Sequence, residues 1–362
     1  MTEEVEEILK QCTNILHGRP GPTMKAQFQR LADSLVGDEA PDFYGSGSYI
    51  ESFEAEMAEM FGKEAAVFMP TGTMAQQIAL RIWCERRKNF TVAMHPTAHL
   101  EWAEHMAYQY LHQIRRLSFG APEFLRDRLL TVADFESLGE EPGAIFLELP
   151  YRVLWGQLPT WAELTAISAW SKERNIPFHC DGARIWQCRP FYQKQYHEIV
   201  SPFDSLYISF YKDIGGLAGA MLLGSASFIE AAKVWRIRHG GRLRTMSPFI
   251  VSARFNIQRV VPQIDTWVER ARELAAILSE FESIRIRPHP PHVNFFDVFI
   301  KGDPEDLTKR HMQAARQTGT FLTANISSSP VPGISVTGIQ VGEEQIKFDP
   351  GVLRPFVEKW LG

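Results

Sequence analysis

Residues 177–224 constrain this chain more than any other stretch. They hold two short apolar runs, Phe178-His179-Cys180 and Leu206-Tyr207-Ile208-Ser209. Short apolar runs of this kind fit strands buried on both faces, as in a parallel sheet flanked by helices. The first run ends in a carboxylate, Asp181, and the second leads into a lysine, Lys212, followed by glycines. Residues 218–223 then return as a further strand. In open α/β sheets, ligands bind at the carboxyl ends of the strands, so Asp181 and Lys212 are expected to face one crevice.

An amine and a carboxylate in one crevice suggest a specific chemistry. A lysine amine forms a Schiff base with an aldehyde. A carboxylate can hold a pyridine nitrogen protonated, so that the ring becomes an electron sink. Those are the two demands that pyridoxal phosphate makes on a protein. Taken singly, Asp181 would read as a turn cap and Lys212 as a surface residue.

Upstream, Ala65-Ala66-Val67-Phe68-Met69 reads as a strand and Pro70-Thr71-Gly72-Thr73 as a turn. Residues 74–83 follow as an amphipathic helix. Strand, small-residue turn and helix N-terminus together suit an anion, because free N–H groups and the helix dipole converge there. The turn is neither GxxxxGK[ST] nor GxGxxG, and an ordinary capped helix start looks much the same.

The remaining pattern alternates. Helices are expected over 3–16, 24–35, a segment with Phe53, Met57 and Met60 on one face, and 161–174. Another carries Ile229, Val234 and Trp235, and a long helical region spans 247–281 with Pro248 and Pro262 as interruptions. Strands are expected at 91–94, 114–117 and 144–149. Strands at 284–287 and 293–300, with helices at 306–318 and 353–361, suit a smaller α+β domain. The expected organisation is an N-terminal arm, 1–35, packing with the small domain, a large cofactor domain, 36–246, and a small C-terminal domain, 247–362.

Composition excludes several function classes. A net charge of −5 gives no electrostatic case for nucleic acid. No apolar run approaches the roughly 20 residues of a membrane span. The acidic start, MTEEVEEILKQ, lacks the basic region and apolar core of a signal peptide. Cys12, Cys84, Cys180 and Cys188 form no CxxC pair, which fits a reducing, cytoplasmic setting. His95, His99 and His105 lack HExxH spacing, and Pro96 breaks a helix there, so no metal is expected.

The order and wording of FGKEAAVFMPTGTM, HCDGARIW and the Lys212 segment resemble the threonine aldolase branch of the β-eliminating lyases. These are fold-type-I pyridoxal-phosphate enzymes. The resemblance runs over about residues 36–246. It implies an α/β fold with a mostly parallel seven-stranded sheet flanked by helices and a smaller α+β C-terminal domain. By position, Thr71, Gly72 and Thr73 would contact the cofactor phosphate, and His99 would stack on its pyridine ring. Asp181 would pair with the ring nitrogen, Lys212 would carry the cofactor, and Arg184 would grip the substrate carboxylate. GGRLR resembles the family's GGGMR, so Arg244 would be a phosphate ligand, reaching in from a neighbouring subunit of a homodimer or homotetramer with composite sites.

The departures bear on substrate. The family's ENTH reads Glu148-Leu149-Pro150-Tyr151 here, so Tyr151 stands where a histidine would approach the substrate hydroxyl. His17-Gly18-Arg19-Pro20 replaces a Ser-Asp-Thr segment, and GISVTGIQV lies where the small domain's second carboxylate-binding arginine would fall. Tyr211 precedes the lysine in place of serine, and Arg242 replaces a glycine. The implied activity is aldolase-type cleavage of the Cα–Cβ bond of a β-hydroxy-α-amino acid, to glycine and an aldehyde. Tyr151, His99 or a water would serve as base. β-Elimination or transamination of another amino acid is the alternative, and a non-catalytic metabolite-binding homologue the third reading.

Overall fold

A computed structural model describes residues 3–18, 21–119 and 128–362. It separates into two compact units, 27–262 and 1–26 with 263–362. Of the segment that replaces Ser-Asp-Thr, Arg19 and Pro20 lie outside the described residues.

The larger unit is built on seven strands: β1 (Ala65–Met69), β2 (Thr91–Met94), β3 (Arg115–Leu117), β4 (Ala144–Glu148), β5 (Phe178–Gly182), β6 (Ser205–Ser209) and β7 (Ala220–Gly224). Their order across the sheet is β1-β7-β6-β5-β4-β2-β3. Only β7 runs against its neighbours β1 and β6. The pairs β2–β3, β2–β4, β4–β5 and β5–β6 are parallel. The expected mostly parallel seven-stranded sheet is therefore present. All residues of β4, β5, β6 and β7 are buried, which is why these strands read as unbroken apolar runs.

Helices flank the sheet: α1 (Ser48–Met60), α2 (Gly72–Arg87), α3 (Trp161–Glu173), α4 (Ala226–Arg238) and α5 (Ser247–Val260). Gly62, at φ +59°, takes the left-handed backbone that follows α1. Thr160 starts α3 with a capping box: its Oγ1 accepts from the Glu163 N–H at 3.2 Å, and Glu163 Oε2 accepts from the Thr160 N–H at 2.7 Å. Such a cap contributes about 1 kcal/mol.

α2 corrects the expectation of an amphipathic helix. Ala75, Gln76, Gln77, Ile78, Ala79, Leu80, Ile82, Trp83 and Cys84 are all buried. The helix lies against the sheet and is covered by α4, where Trp83 stacks on Phe228 at 4.8 Å. Two of its buried polar residues are tied into the core through one amide atom each: His179 Nε2 bonds Gln76 Oε1 at 2.8 Å, and Gln77 Nε2 donates to Glu104 Oε2 at 2.9 Å. Pro248 does not interrupt a helix but occupies the first turn of α5, where its missing N–H costs nothing.

In the smaller unit, β8 (Ile284–Arg287), β9 (Phe295–Lys301) and β10 (Ile334–Gln340) form an antiparallel sheet with Ser327–Ser328 at its edge. The helix expected over 3–16 stops at Gln11. Asn14–Ile15 instead pair in parallel with Thr320–Phe321. No helix among the described residues is long and apolar enough to cross a membrane.

Candidate active site

Asp181 is the penultimate residue of β5 and Lys212 lies three residues beyond β6, at the carboxyl ends of adjacent parallel strands. Both line one narrow cleft of the larger unit, with His99, Trp102, Glu148, Pro150, Arg152, Val153, Ala183 and Arg184.

The Lys212 loop is closed tightly. The Gly216 N–H donates to Phe210 O at 2.7 Å and the Gly215 N–H to Lys212 O at 3.2 Å. The Leu217 N–H donates to Ser252 Oγ on α5 at 2.9 Å, so α5 braces the loop. A side chain at Gly216 would sit 2.6 Å from Phe210 O, which explains the glycine.

Asp181 is 4 % exposed, and its Oδ1 accepts from the Ala183 N–H at 2.9 Å. Burial pushes its carboxyl up, while Lys212 and His99 draw it down without cancelling the shift. A desolvated carboxylate in this position calls for a cationic partner. Beside it, Glu148 ends β4 and accepts from the His99 N–H at 2.5 Å. Its carboxyl is pushed up by burial first and by Asp181 second.

His99 begins the single turn His99–Trp102. Its Nδ1 meets Glu104 Oε1 at 3.0 Å, and Glu104 Oε2 accepts from Gln77 Nε2 on α2 at 2.9 Å. The Glu104 side chain is 2 % exposed against 28 % for His99, so a buried carboxylate fixes the ring. Arg184 is held in turn: its Nη1 donates to Asp213 Oδ1. Glu104, Glu148 and Asp213 had no role in the sequence reading. Only Glu148 carried a signal, as the sole residue kept from ENTH.

Thr71 caps α2, its Oγ1 accepting from the Met74 N–H at 3.2 Å. Thr71 and Thr73 are exposed and Gly72 is buried. The N–H groups of Gly72 and Thr73 belong to the first turn, which has no intrahelical acceptors. A Cβ on Gly72 would lie 2.0 Å from the Tyr207 hydroxyl. Tyr207 is the register partner of Asp181, so one buried side chain links the turn to the strand-end carboxylate.

Five expected site residues are not among those lining the cleft: Thr71, Gly72 and Thr73 of the α2 turn, and Tyr151 and Arg244. Tyr151 is 1 % exposed and does not line the cleft, whereas Pro150, Arg152 and Val153 do. A tight turn is the cause: the Tyr151 N–H donates to Gln157 O at 3.0 Å and the Gly156 N–H to Tyr151 O at 2.9 Å. The ring packs edge-on against His95 at 5.5 Å. Arg244 is exposed, with its guanidinium 5.3 Å from the Phe43 ring, and is also outside the cleft. Its segment is pinned by Asp42, whose Oδ1 accepts from the Met246 N–H at 2.7 Å and Ser247 Oγ at 2.7 Å. Burial raises the Asp42 carboxyl, but these and neighbouring hydrogen bonds outweigh it and hold it below its ordinary value.

Comparison with known proteins agrees with this geometry. The sequence pattern of the beta-eliminating lyases matches residues 19–301. The chain is 26% identical over 319 residues to low-specificity L-threonine aldolase 1 of Arabidopsis thaliana, covering 86% of each protein. A crystal structure of a putative L-allo-threonine aldolase from Listeria monocytogenes superposes with a TM-score of 0.91 at 34% identity, over 99% of this chain and 98% of that one. A putative aromatic amino acid beta-eliminating lyase/threonine aldolase from Exiguobacterium gives 0.90 at 34%, over 99% of both. The fold is that of the fold-type-I pyridoxal-phosphate enzymes. With the pattern spanning most of its length and the strand-end Asp and Lys in one cleft, the chain belongs to the beta-eliminating lyase family.

Proposed function

We propose that this chain is a pyridoxal-phosphate-dependent lyase of the threonine aldolase type, cleaving the Cα–Cβ bond of a β-hydroxy-α-amino acid to glycine and an aldehyde. The observation that carries the reading is the cleft in which Lys212, Asp181, His99 and Arg184 converge. Its donor set fits the cofactor: an amine for the aldehyde, a buried carboxylate for the ring nitrogen, an imidazole for the ring face. Thr71, Gly72 and Thr73 would hold the phosphate at the start of α2. When bound, the cofactor supplies an electron sink for the pair released from the broken bond.

The chain's own residues do the rest. Asp181 keeps the ring nitrogen protonated, and Arg184 grips the substrate carboxylate and so orients the bond to be broken. A base must take the β-hydroxyl proton. Of the two side chains considered for this, His99 lines the cleft and Tyr151 does not. Arg244, exposed and outside the cleft, would serve the phosphate of a neighbouring subunit in a homo-oligomer. Four buried free thiols suit a reducing, cytoplasmic setting.

The test is a spectroscopic titration of the purified, cofactor-loaded protein with a panel of amino acids. β-Hydroxy-α-amino acids and glycine should perturb the bound cofactor's visible band. A panel in which only amino acids without a β-hydroxyl did so, glycine excepted, would reject the reading.

A further inference from the structure

Asp213 follows Lys212 directly, and its side chain is 0 % exposed. The loop that carries it is closed by the Gly215 and Gly216 hydrogen bonds, so the carboxylate has little freedom. A buried carboxylate is costly unless paired. Arg184, 17 % exposed, pairs with it, reaching it from the turn after β5, and also lines the cleft. A guanidinium has five N–H donors in a planar fork, so a bond from Nη1 to Asp213 does not exhaust it. A carboxylate grip needs two parallel donors held in one plane. An arginine without an anchor would lose rotamer freedom each time it closed on a ligand.

We infer that Asp213 is a positioning residue that holds the Arg184 guanidinium ready for the α-carboxylate of the substrate. The inference rests on the reading of Arg184 as the carboxylate grip. It ties that grip to the cofactor lysine through one peptide bond. Carboxylate recognition and cofactor attachment are thereby set by the same loop.

The experiment uses cofactor-loaded enzyme and two probes, glycine and 2-aminoethanol, which share an amine and differ in the carboxylate. Binding is read from the bound cofactor's absorption spectrum, without turnover. Asp213→Ala should weaken glycine about 3- to 10-fold, the effect of losing one pre-ordered side chain. Binding of 2-aminoethanol and the cofactor content should stay unchanged. Asp213→Asn keeps the volume and removes the charge, so it should fall between the two, and it decides the matter where Asp213→Ala does not fold. Arg184→Ala is the reference and should abolish the preference for glycine. Equal changes for both probes, no change, or tighter glycine binding in the Asp213 variants would overturn the inference while leaving Arg184 in place. An unaltered glycine preference in Arg184→Ala would remove the underlying reading, and the inference with it.

Discussion

Glu148 and Asp181 end adjacent parallel strands as register partners, and both carboxyls are buried. Two carboxylates so placed cannot both ionise without cost. Burial raises each, and Asp181 raises Glu148 further.

The sign of the pH dependence follows. A carboxyl raised in the folded state binds more protons there than in the unfolded chain, so stability falls as pH rises above the ordinary carboxyl range. Glu148→Gln removes one such group. In cofactor-free protein the variant should gain on the wild type as pH rises from about 4.5, the ordinary Glu range, toward the raised value. Thermal unfolding of both proteins across that interval checks this. A difference in Tm independent of pH would contradict it.

Asp181 and Arg184 sit three positions apart, with Asp181 assigned to the cofactor and Arg184 to the substrate. Asp181→Ala should lower kcat even at saturating substrate, because the ring loses its charge. Arg184→Ala removes a charge-assisted interaction worth roughly 1.5–3 kcal/mol and should raise KM roughly 10- to 150-fold. Some loss in kcat should accompany it, since the grip also orients the bond. Kinetics and cofactor spectra of the two variants, taken side by side, separate these roles.

Gly72 touches Tyr207 so closely that a methyl group would lie 2.0 Å from its hydroxyl and 2.5 Å from its Cζ. Gly72→Ala should destabilise the protein by about 1–3 kcal/mol, as overpacking does. It should also weaken cofactor binding. Adding Tyr207→Phe relieves only the hydroxyl contact, so rescue should be partial. Equilibrium dialysis of the cofactor and thermal unfolding measure both effects.

Much of this was legible in the sequence because it is local. β5 and β6 were visible as apolar runs, and the polar residues that closed them, Asp181 and Lys212, proved to share a cleft. The capped turn before α2 was visible for the same reason. What was missed depends on partners remote in sequence. Glu104 matters because Gln77 on α2 ties it beside His99, and Asp213 because Arg184 arrives from the turn after β5. Asn14–Ile15 left the expected helix for a pairing with Thr320–Phe321, which no local periodicity announces. Tyr151 is aligned with a site residue yet faces inward, because the turn to Gln157 sets its direction.

Arg244 yields a test of composite sites. Lys212→Ala and Arg244→Ala should each be inactive alone. In mixed dimers, an Arg244→Ala subunit keeps its own lysine and would receive the arginine of its neighbour. Random mixing should then restore about a quarter of wild-type activity. No recovery would place Arg244 on its own subunit's site, and an active Arg244→Ala homodimer would put it outside the chemistry.

The central claim is bond cleavage between Cα and Cβ, and product analysis with threonine tests it most directly. Aldol cleavage converts one threonine to one glycine and one acetaldehyde. Elimination gives 2-oxobutyrate and ammonia instead. Purified, cofactor-loaded protein should release glycine and acetaldehyde in equal amounts, from L-threonine or its allo diastereomer, and Lys212→Ala should release none. 2-Oxobutyrate as the main product, or glycine formed at the same rate by Lys212→Ala, would contradict the account.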